Sequence, residues 1–375
     1  MIKKVALVTT GHPPLDERIF WKFAISISSN GYDTVIFCST ENISIKKENV
    51  FIKGFSDDTL SRKEKLNRLF SLIREFKPDL IICPEVSAII PAYKYKKTDN
   101  NKCKIVSDVT EWYPENVAFK KSGILKILNY LSLFAGNIFL TNKCDSIISG
   151  EKSKLNRYKI ISPFKRKIII RYYPVIKYFR YSPTPIKDEL ILCYAGLINF
   201  SRGIIELLHV AEKLADAHPG LQIKLRLVGK FQSKNEENEF NNIIRNKKSI
   251  QIELREWTEY KNISENLADV HICFDLRKRN YIYNNSLPIK IFEYMACGKP
   301  FIFTDVKPIR DEMKADNFGF LADPDNKDEI VKLIEKYLND KTLYLEHSKN
   351  GRMEIERNKN WETESQKLLS LISGL

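Results

Sequence analysis

Clustered metal ligands are missing from this chain. Its five histidines do not cluster with its seven cysteines, no CxxC pair occurs, and the number of cysteines is odd. Several cysteines sit in apolar runs such as Ile81-Ile82-Cys83. We therefore expect the cysteines to be reduced and buried in a cytoplasmic protein, and we expect neither a metal ion nor a cofactor.

Long apolar runs are also missing. The longest uncharged apolar stretch, from Ile127 to Asn142, has 16 residues, fewer than the roughly 20 that cross a bilayer as a helix. The N-terminal residues lead directly into a strand pattern and lack the apolar core and cleavage site of a signal peptide. We therefore expect any membrane association to be peripheral.

Common phosphate-binding and nucleic-acid-binding motifs are absent. The chain contains neither GxxxxGK[ST] nor GxGxxG, and it has no RNA-binding signature, zinc module or basic base-reading helix, so we expect no nucleic-acid partner. What it does contain is a one-sided charge. Residues 1–190 hold 33 Lys and Arg against 19 Asp and Glu, and residues 191–375 hold 28 of each, so the first half carries the whole net charge of +14. A basic half favours phosphates, nucleic acid or anionic lipid as partners.

Buried-strand patterns alternate with helical patterns along both halves. After the strand over Lys3–Thr10, for example, Asp16 is placed to cap a helix. This alternation predicts α/β domains with doubly wound parallel sheets, and the proline-containing segment 172–190 predicts a linker. We expect one domain over residues 1–180, a second over 190–355, and a C-terminal helix over 356–375 that packs back toward the first domain.

The segment 284–300, NNSLPIKIFEYMACGKP, predicts a helix that ends at Gly298. Lys290 and Glu293 are three residues apart and therefore share one helix face near its start. Backbone N–H groups there, with Ser286 before them, form an anion site. A carboxylate at this place can accept hydrogen bonds from a ribose, and a lysine can neutralise a diphosphate. A plain surface Lys–Glu pair is the alternative.

The segment 194–203, YAGLINFSRG, predicts a strand, a loop at Gly196 and a helix that begins near Arg202. The backbone at a glycine allows a ligand to approach closely, and the guanidinium offers a planar fork to phosphate oxygens. Many α/β domains contain a strand, a glycine and a helix in this order, so the motif alone does not define the ligand.

Four segments together resemble glycosyltransferase family four, and they cover nearly the whole chain in order. They are residues 12–37, 107–116, 196–203 and 284–325. Members of that family are retaining, typically metal-independent enzymes of the GT-B fold. The resemblance therefore implies two Rossmann-like domains that face a cleft. It also implies transfer of a hexose-type sugar from a UDP- or GDP-sugar to a saccharide or polyprenyl-linked acceptor, in surface polysaccharide synthesis such as that of lipopolysaccharide or capsule.

On the donor side, the resemblance matches Glu293 to the glutamate that holds the nucleotide ribose and Arg202 to the basic residue of the phosphate loop. Asn285 stands where the family has its first glutamate, and Leu197 stands where the family often has a second basic loop residue. Because that second basic residue is absent, Lys290 is expected to share the phosphate contacts. The other expected donor contacts are Gly196, Ser286, Leu287 and Trp257. Trp257 would line the base, with core packing as the alternative.

On the acceptor side, the resemblance directs attention to the first domain. Glu111 is expected near the reacting sugar and completes the expected catalytic set of Glu293, Arg202 and Lys290. The other expected acceptor-side residues are His12, Asp16, Arg18 and Asp108. Strand-end capping is the alternative for Asp108 and Glu111, and a structural role is the alternative for His12.

A basic edge beside an apolar segment lies between Phe119 and Lys143. Lys120, Lys121 and Lys126 border a run of leucine, isoleucine and aromatic residues, which is typical of an interfacial helix. We therefore expect the first domain to dock on an anionic inner membrane face, with packing of the apolar residues against the sheet as the alternative. Two other functions stay open: a nucleotide-sugar epimerase of the same fold, and a nucleic-acid-binding protein.

Overall fold

The computed structural model describes residues 2–120, 122–245, 247 and 249–375, and the chain divides into two compact units. Unit 1 comprises the residues up to Tyr172 together with Trp361–Leu375, and unit 2 comprises Tyr173–Asn360. The first division falls at the start of the proline-containing segment. Lys121, a member of the predicted basic edge, lies outside the described residues.

Fourteen strands lie in the described residues. They are β1 (Lys4–Thr9), β2 (Asp33–Cys38), β3 (Thr40–Lys47), β4 (Val50–Ser56), β5 (Leu80–Cys83), β6 (Lys104–Val109), β7 (Ser146–Ser149), β8 (Arg166–Ile169), β9 (Glu189–Ala195), β10 (Gln222–Val228), β11 (Gln251–Arg255), β12 (Ile272–Asp275), β13 (Phe301–Thr304) and β14 (Gly319–Ala322).

The α-helices of the described residues are α1 (Ile25–Ser29), α2 (Arg62–Phe76), α3 (Ile89–Thr98), α4 (Glu115–Ala118), α5 (Gly123–Thr141), α6 (Lys152–Ile161), α7 (Ile204–Ala217), α8 (Lys234–Ile244), α9 (Ile263–Leu267), α10 (Tyr281–Asn284), α11 (Lys290–Ala296), α12 (Lys307–Glu312), α13 (Lys327–Asn339), α14 (Lys341–Arg357) and α15 (Trp361–Ser373).

Unit 1 has an eight-stranded sheet in the order β3-β4-β2-β1-β5-β6-β7-β8. All neighbouring strands are parallel except β3 and β4, which form an antiparallel hairpin. The hairpin turns at Glu48 and Asn49, which both have positive φ. The central strands are buried because helices cover both faces of the sheet. Asp16 caps the following helix as predicted, and that helix starts in π-helical geometry at Glu17 before it continues as α1.

The helix α15 belongs to unit 1. Trp361 stacks on Phe23 with ring centroids 5.6 Å apart, and its indole N–H donates to the Ser26 hydroxyl over 2.8 Å. The Glu364 carboxylate accepts a hydrogen bond from the Arg171 backbone N–H over 2.8 Å. Through these contacts, a segment far along the chain completes the packing around the first helix.

Unit 2 has a six-stranded, entirely parallel sheet in the order β11-β10-β9-β12-β13-β14. Its core joins one face of α7 to the buried faces of β9, β10 and α13. Both sheets therefore have the predicted parallel, doubly wound character. The seven cysteines are all buried and unpaired, as predicted.

The helix α5 has an apolar face in contact with solvent. Ile124, Leu128, Leu131 and Phe139 are between 57% and 72% exposed, so packing against the sheet does not account for them. By length and composition, α5 is the one helix of the described residues that is able to cross a membrane. It is longer than the predicted apolar stretch because it begins before Lys126. Its polar anchors, Asn137 and Thr141, are buried.

Candidate active site

Several predicted site residues, among them His12 and Arg202, follow the strands at which the strand order of each sheet reverses. In unit 1 this position is between β1 and β5, and in unit 2 it is between β9 and β12. Loops diverge there at the carboxyl ends of the strands and leave a crevice, which is where doubly wound sheets bind ligands.

In unit 2, the segment after β9 is fixed by close backbone packing. The Gly196 N–H donates to the Val228 carbonyl over 2.9 Å, and a Cβ on Gly229 would lie 1.9 Å from the Gly196 carbonyl oxygen. Gly203 has φ of 77°, and a Cβ there would lie 1.9 Å from the Leu276 carbonyl oxygen. Glycine at these positions thus brings the loop against the ends of β10 and β12.

Arg202 lies at the end of a 3₁₀ turn just before α7, so a helix begins next to it as predicted. Its backbone N–H is capped by the Asn199 side chain over 2.9 Å. Its guanidinium lies over the Tyr283 ring at 5.1 Å and 4.0 Å from the Asp275 carboxylate. The Arg202 Nε is buried and has no hydrogen-bond partner in the part of the chain that the structure describes.

Asp275 is held by a second arginine. The Arg277 Nε donates to the Asp275 Oδ1 over 2.9 Å, and both side chains are buried. Arg277 also lies over the Tyr283 ring, at 5.2 Å, while the Tyr283 hydroxyl is 2.9 Å from the Ser201 hydroxyl. Arg277 therefore satisfies most of the Asp275 charge and leaves Arg202 available to an anion.

Three predicted donor residues lie together around α11. The Lys290 ammonium donates to the Glu293 Oε2 over 2.8 Å and lies 5.7 Å from the Trp257 ring centroid. Glu293 is only 1% exposed, whereas Trp257 is 52% exposed and thus not a core residue. Trp257 lines a cavity of about 640 Å³ together with Lys230 and Arg255. Lys290 and Glu293 therefore share one helix face, as their spacing predicted.

The residues before α11 make local contacts. The Asn285 amide donates to the Tyr281 carbonyl and the Ser286 hydroxyl donates to the Ile282 carbonyl, over 2.8 Å and 2.7 Å. Both side chains therefore cap the C-terminal end of α10, and Leu287 is buried behind them. The Tyr294 hydroxyl, on α11, accepts a hydrogen bond from the Ala195 N–H and so ties this helix to the end of β9.

In unit 1, a cavity of about 250 Å³ opens at the reversal point. Three of the predicted residues, His12, Asp108 and Glu111, line it, together with Glu85 and Tyr158. Asp16 and Arg18 do not line this cavity and instead support it from behind. The cavity walls carry both hydrogen-bond acceptors and a cation, which suits a hydroxyl-rich ligand.

His12 is surrounded by carboxylates. Its Nδ1 lies 3.2 Å from the Asp16 Oδ2, and its Nε2 lies 3.7 Å from the Glu85 Oε1. Burial alone would lower the pKa of His12, but the hydrogen bond and charge of Asp16, with the charges of Glu85 and Glu111, raise that pKa to about 9. His12 is therefore a cation at neutral pH.

Arg18 and Asp108 form a buried pair. The Arg18 Nε and Nη2 donate to the two Asp108 oxygens over 2.6 Å and 2.7 Å, and the side chains are 3% and 2% exposed. The guanidinium also lies over the rings of Phe23 and Tyr172. This geometry makes Arg18 a scaffold residue that neutralises Asp108. Glu111, in contrast, is exposed and accepts a hydrogen bond from the Asn116 amide.

Several residues at the two sites were not predicted. Glu85 follows β5 and accepts hydrogen bonds from the Thr9 hydroxyl over 2.6 Å and from the Gly11 N–H over 2.9 Å. Burial raises its pKa. Asp275, Arg277 and Tyr283 were missed in unit 2. The available signal was that Glu85, Asp275 and Arg277 lie at or just after the carboxyl end of a buried strand.

Comparison with known proteins indicates the class of enzyme. Residues 179–354 match the family described as glycosyl transferases group 1, and they make up most of unit 2. A Haemophilus influenzae protein named as an uncharacterized glycosyltransferase is 24% identical over 353 residues, which is 90% of each chain.

The protein is a glycosyltransferase.

The solved structures that resemble it show the fold. A sucrose-phosphate synthase from Thermosynechococcus elongatus superposes with a TM-score of 0.76 at 14% identity, over 99% of this chain and 98% of the other. The Anabaena protein HepE in complex with UDP-glucose gives a TM-score of 0.75 at 14% identity, over 99% and 100%. The glycosyltransferase has the GT-B fold, with two parallel-sheet α/β domains.

Proposed function

We propose that this glycosyltransferase moves a hexose-type sugar from a UDP- or GDP-sugar to a saccharide or polyprenyl-linked acceptor in cell-surface polysaccharide synthesis. We assign it to the retaining glycosyltransferase family four. The observation that carries the donor assignment is Arg202, whose buried Nε lacks a partner among the described residues at the reversal point of the unit 2 sheet. A phosphate oxygen is the acceptor that such a guanidinium is suited to bind.

The donor nucleoside is proposed to lie along α11 and the adjoining cavity. Glu293 holds the ribose hydroxyls, Lys290 contacts the diphosphate, and the exposed ring of Trp257 lies against the base. The contacts of Lys290 with both Glu293 and Trp257 support this arrangement. Uridine is supported by the UDP-glucose bound to HepE.

The chemistry we propose is electrostatic. Arg202 and Lys290 stabilise the negative charge that develops on the leaving diphosphate, which lowers the barrier without a protein proton donor. The acceptor hydroxyl attacks from the face that the diphosphate leaves, and a phosphate oxygen takes its proton. Positive side chains thereby serve where other transferases use a metal, and in the described residues no three His, Cys, Asp or Glu side chains group to hold one.

The acceptor is proposed to bind unit 1. The cavity that His12, Glu85 and Glu111 line offers carboxylate acceptors and a cationic donor to sugar hydroxyls. Asp108 and Arg18 keep its wall in place through their buried pair.

We further propose that unit 1 docks on an anionic inner membrane leaflet through α5. The exposed apolar face of α5 supports this, as do Lys126, which lies over the Phe119 ring, and Lys120 next to it. The side chains of Asn137 and Thr141 bind α6 and the residue after it, Ser162, so we favour a helix that lies on the membrane over one that crosses it.

Ligand-induced thermal stabilisation tests the donor assignment. UDP or GDP, and a sugar linked to it, should raise the melting temperature, whereas ADP and CMP should not. Product analysis with the donor alone then separates transfer from epimerisation. A new epimeric sugar nucleotide formed without acceptor would contradict the proposed transfer.

Metal chelation tests the proposed electrostatic mechanism. Activity should persist in EDTA because Arg202 and Lys290 supply the positive charge. Loss of activity in EDTA that magnesium or manganese restores would show that a metal ion does this work.

A further inference from the structure

The turn between α6 and β8 presents apolar side chains to solvent within a basic segment. Phe164 is 96% exposed and Ile160 is 79% exposed, more than any other large apolar side chain of the described residues. We call residues 159–167 the basic turn, because it contains Lys159, Lys165, Arg166 and Lys167. From residue 152 to residue 172 the sequence has no Asp or Glu.

Hydrogen bonds hold the basic turn in this conformation. The Lys167 ammonium donates to the carbonyls of Pro163 and Lys165 over 3.0 Å and 2.7 Å. The Lys165 N–H donates to the Ser162 carbonyl over 3.2 Å. These hydrogen bonds join residues before and after Phe164 and so fix the turn that exposes its side chain. An exposed phenylalanine costs hydrophobic free energy in water, so a covering environment is expected.

The basic turn adjoins the exposed face of α5. The Asn142 amide donates to the Ile161 carbonyl over 2.8 Å, and the Thr141 hydroxyl lies 2.9 Å from the Ser162 hydroxyl. Since Phe139 is exposed one turn earlier on α5, with the Lys143 ammonium over its ring, the two elements offer apolar and cationic groups side by side.

This surface is linked to the unit 1 cavity. The Asn137 amide of α5 donates to the Tyr158 hydroxyl over 3.2 Å, and Tyr158 both precedes the basic turn and lines the cavity. A lipid-linked substrate at the surface would therefore start close to the proposed acceptor site.

We infer that the basic turn inserts Phe164 and Ile160 into an anionic lipid leaflet, as a second membrane contact beside α5. The inference rests on the proposed docking of unit 1. Charge complementarity selects the occupant, because four cations without a neighbouring acid in sequence surround two exposed apolar side chains. Each cation near such a leaflet adds attraction, and the apolar side chains add burial in the headgroup region. Contacts through both α5 and the basic turn would fix the orientation of unit 1 on the membrane, whereas a contact through α5 alone would not.

Vesicle co-sedimentation tests the inference on the full chain. The double variant Ile160→Ser/Phe164→Ser should bind phosphatidylglycerol vesicles about tenfold more weakly than the parent. Leu345→Ser, which removes a 47% exposed leucine from α14 in unit 2, is the matched control and should bind like the parent. Pure phosphatidylcholine vesicles should bind little of any variant.

Fluorescence of Phe164→Trp locates the side chain directly. Its emission should shift to shorter wavelength with phosphatidylglycerol vesicles and not with phosphatidylcholine vesicles. Parent binding together with an unchanged double variant and no emission shift would overturn the role of the basic turn while leaving α5 docking intact. Failure of the parent to sediment would overturn both, and nucleotide stabilisation of the melting temperature would still report on the transferase separately. A parent dimer that the double variant abolishes, without vesicle binding, would show that a second copy covers this surface.

Discussion

At the scale of single residues, the proposed chemistry depends on charges that the fold keeps available. The Asp275 carboxylate accepts a hydrogen bond from Arg277, so the guanidinium of the neighbouring Arg202 remains available to bind a phosphate. In unit 1 the paired cation is Arg18, which donates hydrogen bonds to Asp108. His12 is then the cation that lines the cavity. Each site thus contains one buried structural ion pair beside one group that a ligand can reach.

Arg202→Ala and Glu293→Gln should each impair transfer while the protein stays folded. Loss of a charge-assisted contact costs about 1.5–3 kcal/mol, which is roughly a tenfold to hundredfold fall in kcat/KM. Arg310→Ala, which removes an exposed arginine paired with Asp305, is the control and should leave kcat/KM unchanged. Values for both site variants within about twofold of the parent would contradict the assignment.

The His12 charge should make the stability of unit 1 depend on pH. Its folded-state pKa is raised from 6.5 to about 9, so the stabilisation is complete below pH 6.5 and is lost as the pH rises through about 9. The loss amounts to at most about 3 kcal/mol. In a Trp257→Phe background, all remaining tryptophans lie in unit 1 and report its unfolding. The added change His12→Gln should flatten this pH dependence. An equally steep profile in that variant would contradict the assignment of the pH dependence to His12.

Residue-level prediction from sequence succeeded where spacing decides. Lys290 and Glu293 meet because a helix brings residues three apart together. Glu85 was not predictable in the same way, because its partners Thr9 and Gly11 lie on a strand that is distant in sequence and adjacent only in the sheet. Which strands neighbour each other is a property of the topology, and local patterns do not contain it.

At the scale of elements, most helices and central strands were predictable because they bury a regular apolar pattern. The hairpin of β3 and β4 was missed because β3 lies at the sheet edge and is largely exposed. Its only apolar residues are Ile43 and Ile45, and this short alternation was not enough to mark a strand. The helix α5 was predicted, but its exposed face was not decided, since the same composition also fits a helix that packs on a sheet.

The attachment of α5 to unit 1 should depend on its buried polar side chains. Asn137→Ala removes hydrogen bonds to the Tyr158 hydroxyl and leaves that group unsatisfied, which should lower the free energy of unfolding of unit 1 by about 1–3 kcal/mol. Ser132→Ala, on the exposed face of the same helix, should change it by less than about 0.5 kcal/mol. Denaturant titration measures both, and equal midpoints would show that Asn137 does not anchor the helix.

At the scale of the whole molecule, the two units differ in how the chain builds them. Unit 2 is one continuous segment, whereas unit 1 needs both the residues before Tyr173 and α15. A linker near 172–190 and a C-terminal helix that packs back toward the first domain were both expected. The individual contacts of Trp361 and Glu364 that hold α15 are tertiary and were not predictable.

Truncation after Asn360 should therefore act on one unit alone. Without Trp361, the Phe23 ring loses its stacking partner, and unit 1 should lose at least about 3 kcal/mol of stability, as for removal of a buried tryptophan. Stabilisation of unit 2 by UDP or GDP should persist. Hydrogen exchange resolved by segment measures both effects, and equal loss of protection in the two units would refute the independence of unit 2.

The split of unit 1 also bears on how the protein emerges from the ribosome. At roughly 5–20 residues per second, synthesis of the 188 residues of unit 2 takes about 10–40 s, and α15 is made only afterwards. During that interval the nascent chain has all eight strands of the first sheet, but the Phe23 ring on the first helix is not yet covered by Trp361. A chaperone that binds exposed aromatic side chains can act on unit 1 during this interval. It should no longer be required once Trp361 is synthesised and stacks on Phe23.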